Sequence, residues 1–213
     1  AERCLRAWFR EHILGEKPEY TPAQLEAFRY GTEVHTHFEE YLKSGKPIKD
    51  RYMAAGLPFL DTLKGRPMLI EERFKLDTSM GVKISGIADA LVGDPLTIVD
   101  HKTTSNPRWI KTDWEVRNDF QTICYGRRGF EVYPDETEAE IIYHFIQKPN
   151  NSKPPKAYLA RAPITREEVD DRFANRVEPL IQNMLDVKDE TDWREIEGAM
   201  TPRACDAFGG CPY

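Results

Sequence analysis

The stretch PMLIEERFKLDTSMGVKISGIADALVGDPLTIVDHKTT, residues 67–104, constrains the fold more than any other part of the chain. Runs rich in Ile, Val, Leu and Phe are separated by turn residues near Thr78 to Gly81 and at Gly93 to Pro95, the pattern of three consecutive strands in a β-meander. Side chains alternate between the faces of a strand, so in LTIVDHK Asp100 and Lys102 share one side while Val99 and His101 take the other. In the preceding strand Asp89 falls on the face of Ser85, Ile87 and Leu91. A hairpin closed around Gly93 to Pro95 would bring Asp89 near Asp100. Charged residues embedded in strands this apolar require an explanation beyond solubility.

Helical signals flank the meander. Thr21 as N-cap, Pro22 at the first helical position and Gln24 in a capping box start a helix expected to run to about Leu42. Leu25, Phe28, Phe38 and Leu42 fall at helical spacing, and His35 lies on that stripe, so it is expected to point into the protein. Downstream, a helix is expected over roughly Trp114 to Phe130, then a turn at Pro134 to Glu136 and two strands, AEIIYHFIQ and AYLARA. Thr165 with Glu168 makes another capping box; Val169, Phe173, Val177, Leu180, Met184 and Leu185 supply the apolar face of the last helix, with a kink at Pro179. This order predicts an α/β fold, a central mixed β-sheet flanked by helices. A length of 213 residues suits one domain, with N-terminal helices over 1–65, a core over 66–163, and a C-terminal helix and Cys-bearing tail over 164–213.

Composition removes several classes of function. Hydrophobic residues at 40% and charged residues at 31% are ordinary for a soluble protein, and no stretch approaches the roughly 18 consecutive apolar residues of a membrane span. The opening AERCLRAWFR carries charges where a signal peptide needs an apolar core, so a cytoplasmic protein in a reducing compartment is expected. There, Cys4, Cys124, Cys205 and Cys211 are expected to be free thiols or metal ligands rather than disulfide partners. A net charge of −6 excludes binding nucleic acid by bulk electrostatics alone. One region departs from that balance: Gln147 to Arg166 carries Lys148, Lys153, Lys156, Arg161 and Arg166 with no acid, together with Tyr158. It reads as a solvated hairpin loop or as a contact that tracks a DNA backbone.

Two carboxylates a few ångströms apart in a β core repel one another unless a cation sits between them. Oxygen ligands from Asp89 and Asp100 suit Mg²⁺ or Mn²⁺, and an imidazole from His35 tilts the preference towards Mn²⁺. Lys102 beside them can hold a water and stabilise extra negative charge on a phosphate under attack. Each residue also has a plainer reading: Asp100 with Lys102 as a surface ion pair, His35 as a hydrogen-bonded core histidine, Glu72 as a surface glutamate rather than an auxiliary acid. Together they are costly to bury without a shared partner.

Four segments, GTEVH (31–35), GIAD (86–89), IVDHKT (98–103) and QTICY (121–125), resemble the ordered motifs of RecB-like nucleases in the PD-(D/E)XK superfamily. The resemblance implies a restriction-endonuclease-like core. It further implies that His35, Asp89, Asp100 and the backbone carbonyl of His101 bind the metal, that Lys102 assists catalysis, and that Gln121 and Tyr125 organise the site or the DNA. Gln121 and Tyr125 lie four apart on a helix and share a face, as that role or simple helix packing would need. Many relatives of this kind, among them CRISPR-adaptation, AddB-type and phage exonucleases, hold a [4Fe–4S] cluster with one N-terminal and three C-terminal cysteines. Cys4, Cys205 and Cys211 fit three of those positions, and a fourth ligand is not present in the sequence. Cys124 reads as a small core residue.

The expected function is therefore a metal-dependent exonuclease acting on single-stranded or frayed DNA, with no membrane involvement. The rival is a catalytically silent scaffold that binds DNA ends within a helicase–nuclease or CRISPR-adaptation complex.

Overall fold

A computed structural model describes residues 5–149, 154–192, 194 and 196. Five strands form one sheet in the order β1 (Met68–Asp77), β2 (Lys83–Val92), β3 (Thr97–Thr104), β4 (Glu138–Gln147) and β5 (Ala157–Thr165). Every neighbouring pair is antiparallel except β3 with β4, which is parallel, so the sheet is mixed as expected. That parallel step needs a crossover, which two helices supply: α5 (Asp113–Arg117) and α6 (Phe120–Val132). The chain divides into two compact units, Arg29–Phe173 and the pair of segments Ala1–Phe28 and Ala174–Tyr213.

In the unit Arg29–Phe173, the core on one face of the sheet is built against α2 (Pro22–Ser44). Tyr30, Val34, Phe38 and Tyr41 of this helix pack with Met53 of α3 (Arg51–Ala54), with Phe59, Leu60 and Leu63 of α4 (Leu57–Leu63), and with Ala90, Val92, Val99, Ile142 and Ile146 of the strands. The stripe was expected one step around the helix. Leu25 and Phe28 are exposed, whereas the buried positions 30, 34, 38 and 41 follow the usual spacing of three and four. His35 flanks that stripe, one residue after Val34, and so sits at the edge of the core instead of its middle.

The opposite face carries α6, where small residues permit close approach. A Cβ on Gly129 would lie 2.7 Å from Ile98 Cδ1, and one on Gly126 would lie 2.9 Å from Val169 Cγ2 of α7 (Arg166–Arg172). The single helix expected over 114–130 is in fact two. Asp119 adopts an extended conformation and caps α6, its carboxylate accepting from the Gln121 N–H at 2.9 Å. Thr112 with Glu115, like Thr165 with Glu168, forms a complete capping box.

In the other unit, the Thr21–Gln24 box opens α2 with reciprocal bonds of 2.8 and 3.3 Å. Contacts also join α1 (Leu5–His12) and α8 (Glu178–Val187) there. A π-helical turn at Phe173–Val177 precedes α8, so the irregularity expected at Pro179 begins just before it. Among the described residues no helix is long and apolar enough to cross a membrane.

Candidate active site

The site forms where the β2–β3 ladder ends. Pairing runs through Ala90 with Val99, Leu91 with Ile98 and Val92 with Thr97. Continuing that register sets Asp89 opposite Asp100. Here side chains take over from backbone pairing: Asp89 Oδ2 accepts the His101 N–H at 2.6 Å, and Asp89 Oδ1 lies 3.2 Å from His35 Nδ1. His35 is therefore held at a sheet carboxylate by the flank of α2. Its side chain keeps 36% exposure, enough to meet a ligand from solvent.

Across the other ladder, Ile70 pairs with Ala90 and Glu72 with Ala88, so Glu71 stands opposite Asp89. Its φ is +55°, a left-handed conformation that costs a residue with a Cβ roughly 1–2 kcal/mol. The consequence is visible along β1. Met68 packs into the α2 core, yet Glu72 binds Arg128 Nη2 at 2.6 Å and the Phe74 ring meets that of Tyr125, both partners on α6. Even-numbered positions of a regular strand would stay on one face. The turn at Glu71 breaks that alternation and leaves its carboxylate beside Asp89 and His35. Ligand atoms of His35, Glu71 and Asp89 all lie within 4.8 Å of one another.

Glu71 is the residue that strand alternation alone did not reveal. Reflecting the strands through the Thr78 to Gly81 turn would have paired it with Asp89, but an error of one residue in that turn exchanges faces. Glu72, weighed as an auxiliary acid, is instead the partner of Arg128.

Asp100 and Lys102 sit together as alternation requires. Lys102 Nζ lies 2.6 Å from Asp100 Oδ2, an ion pair that is the main counter-charge to this buried carboxylate. The Lys102 ammonium donates to Gln121 Oε1 at 2.7 Å, and Gln121 Nε2 donates to the Tyr125 hydroxyl, also at 2.7 Å. Gln121 and Tyr125 thus share a face of α6 and hold the lysine. The break at Asp119 puts Gln121 in the first turn of α6, where it can reach Lys102.

Electrostatics follow from this crowding. Burial pushes the Asp100 carboxyl up to about 6; the nearby Lys102 ammonium opposes that shift and the Asp89 charge adds to it. Burial also raises Asp89, but the His35 hydrogen bond and the neighbouring imidazoles outweigh it and hold this carboxyl below its ordinary value. For His35, burial works against the charged form, yet the bond to Asp89 and the charges of Asp89 and Asp100 raise it overall. Glu71 is raised by burial and by Asp89 and Glu39. The site is thus short of positive charge. A hard cation suits it, since it would meet two carboxylates and an imidazole, with the buried Asp100 carboxylate nearby.

The remaining expected residues fall in three places. His101 turns its side chain away from the acids, onto His144 (Nδ1 to Nδ1, 3.2 Å) and the edge of Phe38. Lys148, Lys156 and Tyr158 flank the β4–β5 connection, Lys148 and Tyr158 partly buried and Lys156 exposed, while Lys153 lies outside the described residues. Cys4, Cys205 and Cys211 also lie outside them. Cys124 is buried on α6, as a core residue should be.

A family model, the PD-(D/E)XK nuclease superfamily, matches residues 51–213. His35 lies upstream of that stretch. No curated protein sequence matches. Among solved structures, the crystal structure of SSO0001 is similar over 95% of this chain and 95% of that one, at 14% identity and a TM-score of 0.32. An alkaline exonuclease from Laribacter hongkongensis is similar over 86% of this chain and 81% of its own, at 13% identity and a TM-score of 0.39.

Proposed function

The chain belongs to the PD-(D/E)XK nuclease superfamily, and from that premise we propose that it is a metal-dependent deoxyribonuclease of the RecB-like kind, an exonuclease working on single-stranded or frayed DNA ends. One observation carries the reading: ligand atoms of His35, Glu71 and Asp89 converge within 4.8 Å beside an Asp100–Lys102 pair that α6 holds in place.

In this proposal His35, Glu71 and Asp89 would hold the cation, with Asp100 and the His101 carbonyl as further ligands. Bound Mg²⁺ or Mn²⁺ supplies Lewis acidity, lowering the pKa of a water and drawing charge from a phosphoryl oxygen. The work of the protein is positioning. Lys102, fixed between Asp100 and Gln121, directs a water at the phosphorus and meets the negative charge that gathers there. Tyr125 orients the Gln121 amide. Asp89, whose two oxygens are tied to His35 and to the His101 N–H, keeps the ligands in register.

The test is hydrolysis of end-labelled linear DNA in Mn²⁺ by the wild type and by Lys102→Ala. Loss of a charge-stabilising donor should lower the rate by about 100-fold or more. Equal rates would remove Lys102 from the mechanism, and no hydrolysis by the wild type would favour a silent end-binding scaffold. The iron–sulfur part of the proposal rests on the spacing of Cys4, Cys205 and Cys211 and on the resemblance. A brown colour after anaerobic purification would support it, and a preparation without iron would end it.

A further inference from the structure

We propose that Trp109, with Trp114 five residues on, is a base-stacking platform for single-stranded DNA at the mouth of the site, an inference that rests on the nuclease reading above and names the form of its substrate. The two indoles are 74% and 72% exposed, and among the described residues neither ring contacts another aromatic ring. Single exposed apolar side chains are ordinary. Two tryptophans five positions apart, both on the connection that leaves the catalytic strand, are not.

Their position is tied to the chemistry. Lys102 Nζ lies 5.4 Å and Lys111 Nζ 5.2 Å from the centre of the Tyr143 ring, so the residue two beyond Trp109 shares that ring with the catalytic lysine. Lys111 also pairs with Asp119, the cap of the helix whose Gln121 holds Lys102. Trp109 ends the short 3-10 turn Pro107–Trp109, which Asn106 fixes by accepting the Arg108 N–H at 3.1 Å. The indole is thus carried on an anchored turn.

Charge selects the occupant. Arg108 is exposed next to Trp109. Because β3 and β4 are parallel, the β4–β5 connection leaves the sheet at the same edge, and the Lys148 N–H donates to the Thr104 carbonyl at 2.7 Å. Cations at Arg108, Lys148 and Lys156 therefore border the connection that carries the indoles, as a phosphate backbone would require. In a duplex the faces of the bases are stacked on one another and closed to a side-chain ring; in a single strand they are open. Aromatic surface joined to a cationic rim thus favours a splayed strand over an intact duplex.

The experiment measures binding in EDTA, where no hydrolysis can occur, using fluorescein-labelled oligothymidine and a blunt duplex of the same length. The full chain is compared with Trp109→Ala, Trp109→Phe and Trp109→Ala/Trp114→Ala. Stacking on an aromatic side chain contributes enough for removal to weaken binding by about 5- to 100-fold. We expect that loss for the single strand with Trp109→Ala, a further loss in the double variant, partial rescue by Trp109→Phe, and little change for the duplex. Since Trp109 is exposed, its truncation leaves no cavity to compromise folding. Single-strand affinity unchanged in both alanine variants would overturn the proposal, as would equal losses for both DNAs or a wild type that does not bind the single strand. These outcomes are independent of the Lys102→Ala hydrolysis assay, so failure of the platform and failure of the nuclease reading are told apart.

Discussion

Glu71 holds a left-handed backbone in the middle of a strand, and its carboxylate is one of three groups that converge on the candidate metal site. Strain of this kind persists where the surroundings impose it and a function uses it. Glycine adopts the same φ without the steric penalty, at a smaller entropic cost. Glu71→Gly should therefore raise the thermal unfolding midpoint in EDTA, by the equivalent of about 1 kcal/mol, while weakening Mn²⁺ binding about 10- to 100-fold. Scanning calorimetry with and without Mn²⁺ reads both effects; a lower midpoint in EDTA would refute the account of strain. The same residue marks the limit of reading the sequence by pattern. Asp89, Asp100 and Lys102 were legible because strand alternation places them without reference to other strands, whereas helical spacing set His35 in the middle of a stripe whose edge it occupies. Glu71 was not, because one unusual φ changes which side of the strand its neighbours face, and no local pattern encodes that change.

At the scale of elements, the helix α2 and the strands β3 and β4 meet over two buried imidazoles. His101 and His144 are bonded to each other, and His144 stacks on Phe38 and meets the edge of Phe59. The packing is tight enough that a Cβ on Gly56 would lie 2.7 Å from His144 Cε1. Burial pulls His101 down to about 4, with the Asp89 charge opposing and His35 and Lys102 assisting; burial and His101 pull His144 well below its ordinary value. An imidazole in the unfolded chain titrates near 6.5, so between that pH and about 4 the unfolded state binds more protons than the folded one. Stability is thus full above about pH 6.5 and is lost as the pH falls towards 4, with a contribution from His101 on the order of 3 kcal/mol. His144→Phe, which keeps a ring against Phe38 and Phe59, should flatten this slope in urea titrations run from pH 7 to 4.5. An unchanged slope would locate the acid sensitivity elsewhere. The strands and caps behind this arrangement were readable from turn residues and capping boxes, but the break at Asp119 was not: Trp114 to Phe130 has continuous helical character, and only the side chain of Asp119 folding back onto Gln121 N–H ends one helix and begins the next.

At the scale of the whole molecule, a sheet that concentrates carboxylates needs a counter-charge to be fully stable, and under the proposed function that charge is a divalent cation. Asp100 is raised because burial and the Asp89 charge outweigh its ion pair with Lys102, which is a cost to the metal-free fold. A ligand that binds only the folded state stabilises it by about 2.7 kcal/mol at 100 times its dissociation constant. Saturating Mn²⁺ should accordingly raise the unfolding midpoint, reversibly with EDTA. Two variants separate holding the metal from using it. Lys102→Ala removes a cation from beside the acids without removing a ligand, so it should keep the Mn²⁺-dependent rise, or enlarge it, while losing hydrolysis. Asp89→Asn removes a ligand and the anchor of His35, so it should lose both. Were Asp89→Asn to respond to Mn²⁺ as the wild type does, the cation would be bound elsewhere on the protein and the convergence of His35, Glu71 and Asp89 would be an ordinary network of partly buried polar groups.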